Sequence, residues 1–166
     1  MSEKNVNHIK WMKRAIHLAS LGDGKTSPNP KVGAVILDKN GNIISEGFHQ
    51  KAGMPHAEAM ALNNLKKDAV GGSMYVNLEP CCHQGKTPPC VDKVISSGIR
   101  NVYISIQDPD KRVSGQGIKL LKNAGIQVHL GLCKKESLDL NKAFIHRNTT
   151  KTVSYTHLRA HETIAD

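Results

Sequence analysis

The sequence is poor in aromatic side chains, which make up 4% of its 166 residues. One tryptophan, three tyrosines and two phenylalanines leave few rings for a hydrophobic core or for stacking on exposed bases. We therefore expect a core that is mostly aliphatic. The same scarcity argues against a protein that binds single-stranded nucleic acid through rows of stacked aromatic rings.

Long apolar runs are also absent. No window of the sequence approaches the roughly 18 apolar residues that a membrane-spanning helix needs. The first twenty residues include the charged side chains Lys10, Lys13 and Arg14, so they lack the pattern of a secretory signal peptide. These absences predict a cytoplasmic protein without a membrane partner.

Cysteine is too scarce for a disulfide scaffold, since the chain has four, at positions 81, 82, 90 and 133. Three of the four nevertheless fall within ten positions, a clustering typical of a metal site. Acidic residues are outnumbered by lysine and arginine, 14 to 23, which gives a net charge of +9. That excess favours anionic partners such as phosphate esters, or indicates only a solvated basic surface, because the positive residues are scattered along the chain.

Hydrophobic spacing indicates alternating elements. Helical periodicity predicts helices at 8–21, 57–65, 91–97, 118–124 and 137–144, and extended apolar runs predict strands at 32–37, 43–48, 74–78, 102–106 and 127–130. The first two strands flank a turn at Gly41 and form a hairpin. A hairpin followed by alternating strands and helices predicts an α/β domain of three layers, α/β/α, with a mixed five-stranded sheet whose later strands are parallel.

Three residues have the atom types and placement of a zinc site. His56 lies at a predicted helix start, Cys81 follows a predicted strand, and Cys90 lies at the next helix start. One imidazole and two thiolates leave the fourth tetrahedral position open for water, which distinguishes a catalytic zinc from a closed structural site. We therefore predict one catalytic Zn²⁺, able to lower the pKa of that water.

Glu58 follows His56 by two positions, so it shares the helical turn but points in another direction. It is a poor second ligand and a suitable proton carrier for a hydrolytic deamination. His-x-Glu followed by Pro-Cys and a further cysteine is the order found in zinc deaminases, although the spacing between the two cysteines is longer here.

Two neighbouring residues are alternative candidates for binding the metal. Cys82 and His83 are local rivals, with Cys81 favoured because it directly follows Pro80 and His83 interpreted as a loop residue near the metal. A structural zinc domain would require one of these two as a fourth protein ligand. Cys133 is interpreted as a small apolar filler.

Three segments closely resemble one family: SPNPKVGAV at 27–35, PHAEA at 55–59 and LEPCCHQGKTPPC at 78–90. They resemble the deaminase domain of the riboflavin-biosynthesis deaminase/reductase, in the cytidine/deoxycytidylate deaminase superfamily, and the resemblance extends over roughly residues 8–148. It implies a cytidine-deaminase-like fold and deamination of 2,5-diamino-6-ribosylamino-4(3H)-pyrimidinone 5′-phosphate to 5-amino-6-(5-phosphoribosylamino)uracil.

The resemblance also implies a set of substrate contacts. The matching positions are Asn29, His49, Lys86, Thr87, Asp108 and Asp110. The family usually has asparagine where this chain has Asp110, which adds a negative charge near the expected ribose phosphate.

We expect residues 1–148 to form the deaminase domain and 149–166 to be a truncated or artefactual tail, without the reductase domain that the family commonly carries. Residues 153–163 resemble translated sequencing-adapter fragments. The expected partner is a small pyrimidine ribotide, and a homo-oligomer stays open. The alternative function, an editing deaminase acting on adenosine or cytosine in tRNA or other nucleic acid, is favoured by the basic charge and disfavoured by the few aromatic residues.

Overall fold

A computed structural model of the chain describes residues 3–83 and 88–149. Its elements are α1 (Glu3–Ser20), β1 (Gly33–Leu37), β2 (Ile43–Phe48), α2 (Ala57–Asn63), β3 (Ser73–Leu78), α3 (Cys90–Ser96), β4 (Asn101–Ile106), α4 (Gln116–Asn123), β5 (Gln127–Leu130) and α5 (Lys134–Leu140). Helical residues continue from 142 to 149. Within these ranges, no helix combines the length and the apolar character needed to cross a bilayer.

The strands form one five-stranded sheet in the order β2-β1-β3-β4-β5. β1 pairs antiparallel with both β2 and β3, whereas β3, β4 and β5 run parallel. The β1–β2 turn contains Gly41 with a φ of 87°, a backbone conformation that glycine adopts without strain. The predicted mixed sheet and opening hairpin are therefore confirmed.

Helices cover both faces of this sheet. α1 packs on β1 and β3 and contacts α5, while α2, α3 and α4 form a contiguous layer on the opposite face. β1 shows why both faces are covered, since its side chains alternate between two cores: Ala34 and Ile36 join the α2–α4 side, and Val35 and Leu37 join the α1 side. The predicted α/β/α layering is confirmed.

The last predicted helix, 137–144, differs from the structure. α5 begins at Lys134 and ends at Leu140, and Asn141 leaves the helical conformation with φ −104° and ψ 23°. The Asn141 side chain accepts from the Lys31 amide at 2.8 Å and donates to the Lys31 carbonyl oxygen at 2.8 Å. This contact, with a residue 110 positions away in the chain, coincides with the break between α5 and the helical residues 142–149, although the backbone hydrogen bonds from Asn141 to Ser137 and from Ile145 to Asn141 continue across it.

Gly47 allows α2 to lie directly against β2. A Cβ at Gly47 would come within 2.6 Å of the Ala57 carbonyl oxygen and 2.6 Å of the Ala61 amide nitrogen, both in α2. We therefore expect Gly47→Ala to lower the free energy of unfolding by about 1–3 kcal/mol, because the helix must move to relieve the overlap. Urea denaturation measures this. Ile43→Val, at an exposed position of the same strand, is the control and should change stability by less than about 0.5 kcal/mol.

Candidate active site

The three predicted metal ligands converge beside the end of β3. His56 is the N-cap of α2, with φ −67° and ψ 161°, and Cys90 is the first residue of α3. Cys81 belongs to the loop after β3, and its Sγ accepts a hydrogen bond of 3.3 Å from the backbone N–H of Cys90. The first N–H group of α3 therefore stabilises negative charge on the Cys81 sulfur.

Their geometry fits a tetrahedral zinc ion. His56 Nδ1 lies 3.7 Å from Cys81 Sγ and 3.4 Å from Cys90 Sγ, and all three ligand atoms lie within 4.8 Å of one another. Zn–N bonds of about 2.1 Å and Zn–S bonds of about 2.3 Å would separate such atoms by about 3.6 Å. His56, Cys81 and Cys90 can therefore hold a metal ion, as the sequence predicted.

The local rivals do not join this group. Among the described residues, the metal-ligand cluster contains only His56, Cys81 and Cys90. The Cys82 sulfur is instead 3.8 Å from the Gln116 side-chain oxygen, and His83 is exposed. A set of three protein ligands suits a site that keeps a position open for water.

The two sulfurs compete for one proton. Two hydrogen bonds lower the pKa of Cys81 to about 4: the larger effect comes from the Cys90 thiol and the smaller from His56. The pKa of Cys90 is raised, first by its hydrogen bond to Cys81 and then by burial. The hydrogen bond to Cys81 raises the pKa of His56. A second thiolate beside the first needs a bound cation, which is the charge that a divalent metal supplies.

Glu58 lies in the first turn of α2 and is 4% exposed. Burial away from water raises the pKa of its carboxyl group. Its side chain lines the same cavity as the metal ligands His56 and Cys81. A buried carboxyl group that gains and loses a proton readily is suited to proton transfer beside a metal.

A cavity of about 290 Å³ adjoins the metal ligands, close to the lower end of the range for small-molecule sites. Four of the predicted substrate contacts line it, namely Asn29, His49, Asp108 and Asp110. Lys86 and Thr87 lie outside the described residues. The structure therefore brings together, in one cavity, each predicted contact that it describes.

His49 is buried and both of its ring nitrogens have protein partners. Its Nδ1 donates to the Pro55 carbonyl oxygen at 3.1 Å, so its Nε2 accepts from the Asn29 side-chain amide at 3.2 Å. This tautomer follows from the carbonyl, which can only accept. His49 thus orients Asn29 in the cavity and holds the residue that precedes the metal ligand His56.

Sequence reasoning missed two groups of cavity residues. Phe144 and Asn148 reach the cavity from the helical residues 142–149, and Glu79 reaches it from the end of β3. Glu79 did carry a signal, because it is an acidic residue between a buried strand and the metal-ligand segment. Phe144 and Asn148 follow the turn at Asn141, which no local pattern indicates.

A mixed α/β sheet with a His/Cys/Cys metal group and a neighbouring buried glutamate is the arrangement of a zinc-dependent deaminase. The sequence profile of the "Cytidine and deoxycytidylate deaminase zinc-binding region" matches residues 5–106. The diaminohydroxyphosphoribosylamino-pyrimidine deaminase of Buchnera aphidicola subsp. Schizaphis graminum is 51% identical over 84% of this chain and 95% of its own length. The chain belongs to this deaminase family.

Longer relatives match over part of their length. The riboflavin biosynthesis protein RibD of Aquifex aeolicus is 49% identical over 81% of this chain, and the chain spans 37% of it. A deaminase/reductase structure from Thermotoga maritima superposes with a TM-score of 0.85 at 45% identity, covering 90% of this chain and 43% of that one.

One similar structure contains a ligand. The Aspergillus oryzae Rib2 deaminase, solved in complex with DARIPP, superposes with a TM-score of 0.69 at 25% identity. The match covers 87% of this chain and 94% of that one. Together with the Thermotoga maritima structure, it confirms the cytidine-deaminase-like fold.

Proposed function

We propose that this protein hydrolyses an amino group from the ring of 2,5-diamino-6-ribosylamino-4(3H)-pyrimidinone 5′-phosphate, producing 5-amino-6-(5-phosphoribosylamino)uracil and ammonia in riboflavin biosynthesis. The observation that carries the proposal is one small cavity that joins a His/Cys/Cys metal group to a buried glutamate. Relatives of nearly the same length are named for this deamination, and DARIPP occupies a related deaminase.

The chain's own residues divide the chemistry between them. His56, Cys81 and Cys90 would hold a zinc ion, which when bound supplies a coordinated water of lowered pKa. Glu58 accepts one proton from the attacking water and delivers it to the ring nitrogen, and it carries the second proton of the same water to the amino group, which leaves as ammonia. Burial raises the pKa of Glu58, which makes its carboxylate a better proton acceptor than that of an exposed glutamate.

Recognition of the ribotide involves the cavity residues Asn29, His49, Asp108 and Asp110. His49 acts through Asn29, because its ring nitrogens are occupied within the protein. We expect Lys86 and Thr87, which lie outside the described residues, to provide the cation and hydroxyl that a phosphate group requires.

Arg112 offsets the charge of Asp110. Its Nη2 and Nε lie 2.8 Å and 3.0 Å from the two Asp110 carboxylate oxygens, and these hydrogen bonds lower the pKa of Asp110 to about 2. We expect Arg112→Ala to raise KM for the phosphorylated substrate by about two- to fivefold with kcat unchanged, because it leaves a bare carboxylate beside the cavity. Steady-state kinetics measure this. Adding Asp110→Asn to that variant should restore KM; an unrestored KM would show that Arg112 acts by another route.

The function itself is tested with purified, zinc-loaded protein. Ammonia release is measured with the ribotide, with its dephosphorylated form, with cytidine and with tRNA. We expect turnover of the ribotide, a higher KM without the phosphate, and no turnover of cytidine or tRNA. Turnover of tRNA in place of the ribotide would overturn the proposal and favour an editing deaminase.

A further inference from the structure

The carboxylate of Glu79 binds the backbone of a distant segment of the chain, between residues 108 and 118. Its Oε1 accepts hydrogen bonds from the backbone N–H groups of Asp108 at 3.1 Å and Gly115 at 3.0 Å, and its Oε2 accepts one from Ile118 at 3.2 Å. The side chain is 5% exposed. Three N–H groups from the stretch between β4 and the first turn of α4 are therefore tied to one buried anion.

This carboxylate replaces a missing local cap. Gly115 is the N-cap of α4, with a φ of 83° and no side chain to bond the free N–H groups of the first turn. Glu79, the residue after β3, supplies the acceptor instead. The start of α4 is consequently positioned by the segment that leads from β3 to the metal ligand Cys81, and not by its own sequence.

Close packing reinforces the attachment. A Cβ at Gly117 would come within 2.5 Å of the Pro80 carbonyl oxygen and 3.2 Å of Glu79 Oε2. α4 therefore packs directly against the 79–80 backbone at Gly117, and the next residue along that backbone is the metal ligand Cys81.

The tied segment carries cavity residues. Asp108 is half-buried, its Oδ1 accepts from the Asp110 backbone N–H at 2.9 Å, and both residues line the cavity beside Cys81. We propose that Glu79 is a positioning residue, which sets the place of the Asp108–Asp110 loop relative to the metal ligands and so determines how tightly the substrate is held. This inference rests on the proposed function.

Glu79→Gln tests the inference, because an amide keeps the size of the side chain but presents its own N–H₂ to one of the three backbone donors. We expect KM for the ribotide to rise by about tenfold, with kcat within about threefold of wild type and the zinc content unchanged. Kinetics are measured at a temperature where circular dichroism shows the variant fully folded. Glu46→Gln is the matched control: it removes a carboxylate from an ion pair with Arg14 away from the cavity, so KM should stay at the wild-type value.

A double-mutant cycle separates positioning from simple destabilisation. If Glu79 acts through the loop, Asp108→Asn should raise KM less in the Glu79→Gln protein than in wild type. Gly117→Ala, which displaces α4 from Pro80 while keeping the carboxylate, is the second variant if Glu79→Gln does not fold, and it should raise KM likewise.

The outcomes are distinct. A folded Glu79→Gln protein with KM within twofold of wild type, or effects of Glu79 and Asp108 that simply add, would overturn the positioning role alone. Should Glu79→Gln not fold, an unchanged KM in Gly117→Ala would overturn it. A wild-type protein without turnover of the ribotide would overturn the proposed function and this inference together.

Discussion

Glu58→Gln should keep the zinc ion and the fold while lowering kcat by about a thousandfold or more, since a general acid–base group typically contributes about 10²–10⁴-fold. Glutamine has the same length as glutamate but cannot accept the proton of the attacking water. The sequence places both residues on one helical turn, but in the structure His56 is the N-cap of α2, with an extended backbone, and only Glu58 lies within the helix. The metal-ligand group of the described residues includes His56 and not Glu58.

Turnover and zinc content must be measured on the same preparation. Glu46→Gln is the control for loss of a carboxylate elsewhere in the fold, and it should retain wild-type kcat. A Glu58→Gln protein with full zinc and more than about a tenth of wild-type kcat would show that another group transfers the protons.

Cys90→Ser should lose zinc and activity together. A serine hydroxyl is a poor zinc ligand beside a thiolate, and two remaining ligands cannot complete a catalytic site. We expect bound zinc to fall below about a tenth of an equivalent after dialysis and kcat to fall by about a thousandfold or more, because the metal activates the water. Elemental analysis and ammonia release measure the two effects.

Other cysteines provide the matched controls. Cys133→Ser changes a half-buried thiol that packs against the core on the α1 side of the sheet. Cys82→Ser removes the other cysteine near the metal ligands. Both variants should keep zinc and turnover. Treating the wild type with a chelator should abolish activity, and added Zn²⁺ should restore it. Full zinc occupancy in Cys90→Ser would contradict the ligand assignment. Loss of zinc in Cys82→Ser would show that Cys82 binds the metal in place of one of the assigned cysteines.

The metal ligands were predictable because their chemistry is narrow. Few residue types bind zinc, and His56, Cys81 and Cys90 each lie at a junction between a predicted strand or loop and a helix. The sheet was predictable for a similar reason, since strands such as β4, in which aliphatic residues alternate with Tyr103 and Ser105, form short extended segments between helical ones.

Element ends were less predictable. α5 ends at Leu140, and the break coincides with the hydrogen bonds between the Asn141 side chain and the backbone of Lys31, a distant contact that helical periodicity does not indicate. Phe144, which lines the cavity, follows that break.

The sequence by itself determined the fold class, the candidate zinc ligands and the candidate proton carrier, because periodicity, spacing and ligand chemistry are local properties. Only the tertiary structure decided that His49 binds Asn29 and that Glu79 holds the loop of Asp108. These bonds join residues 20 and 29 positions apart, and any buried polar group must find some partner. Which partner it finds depends on how the strands and helices pack, which no short stretch of sequence specifies.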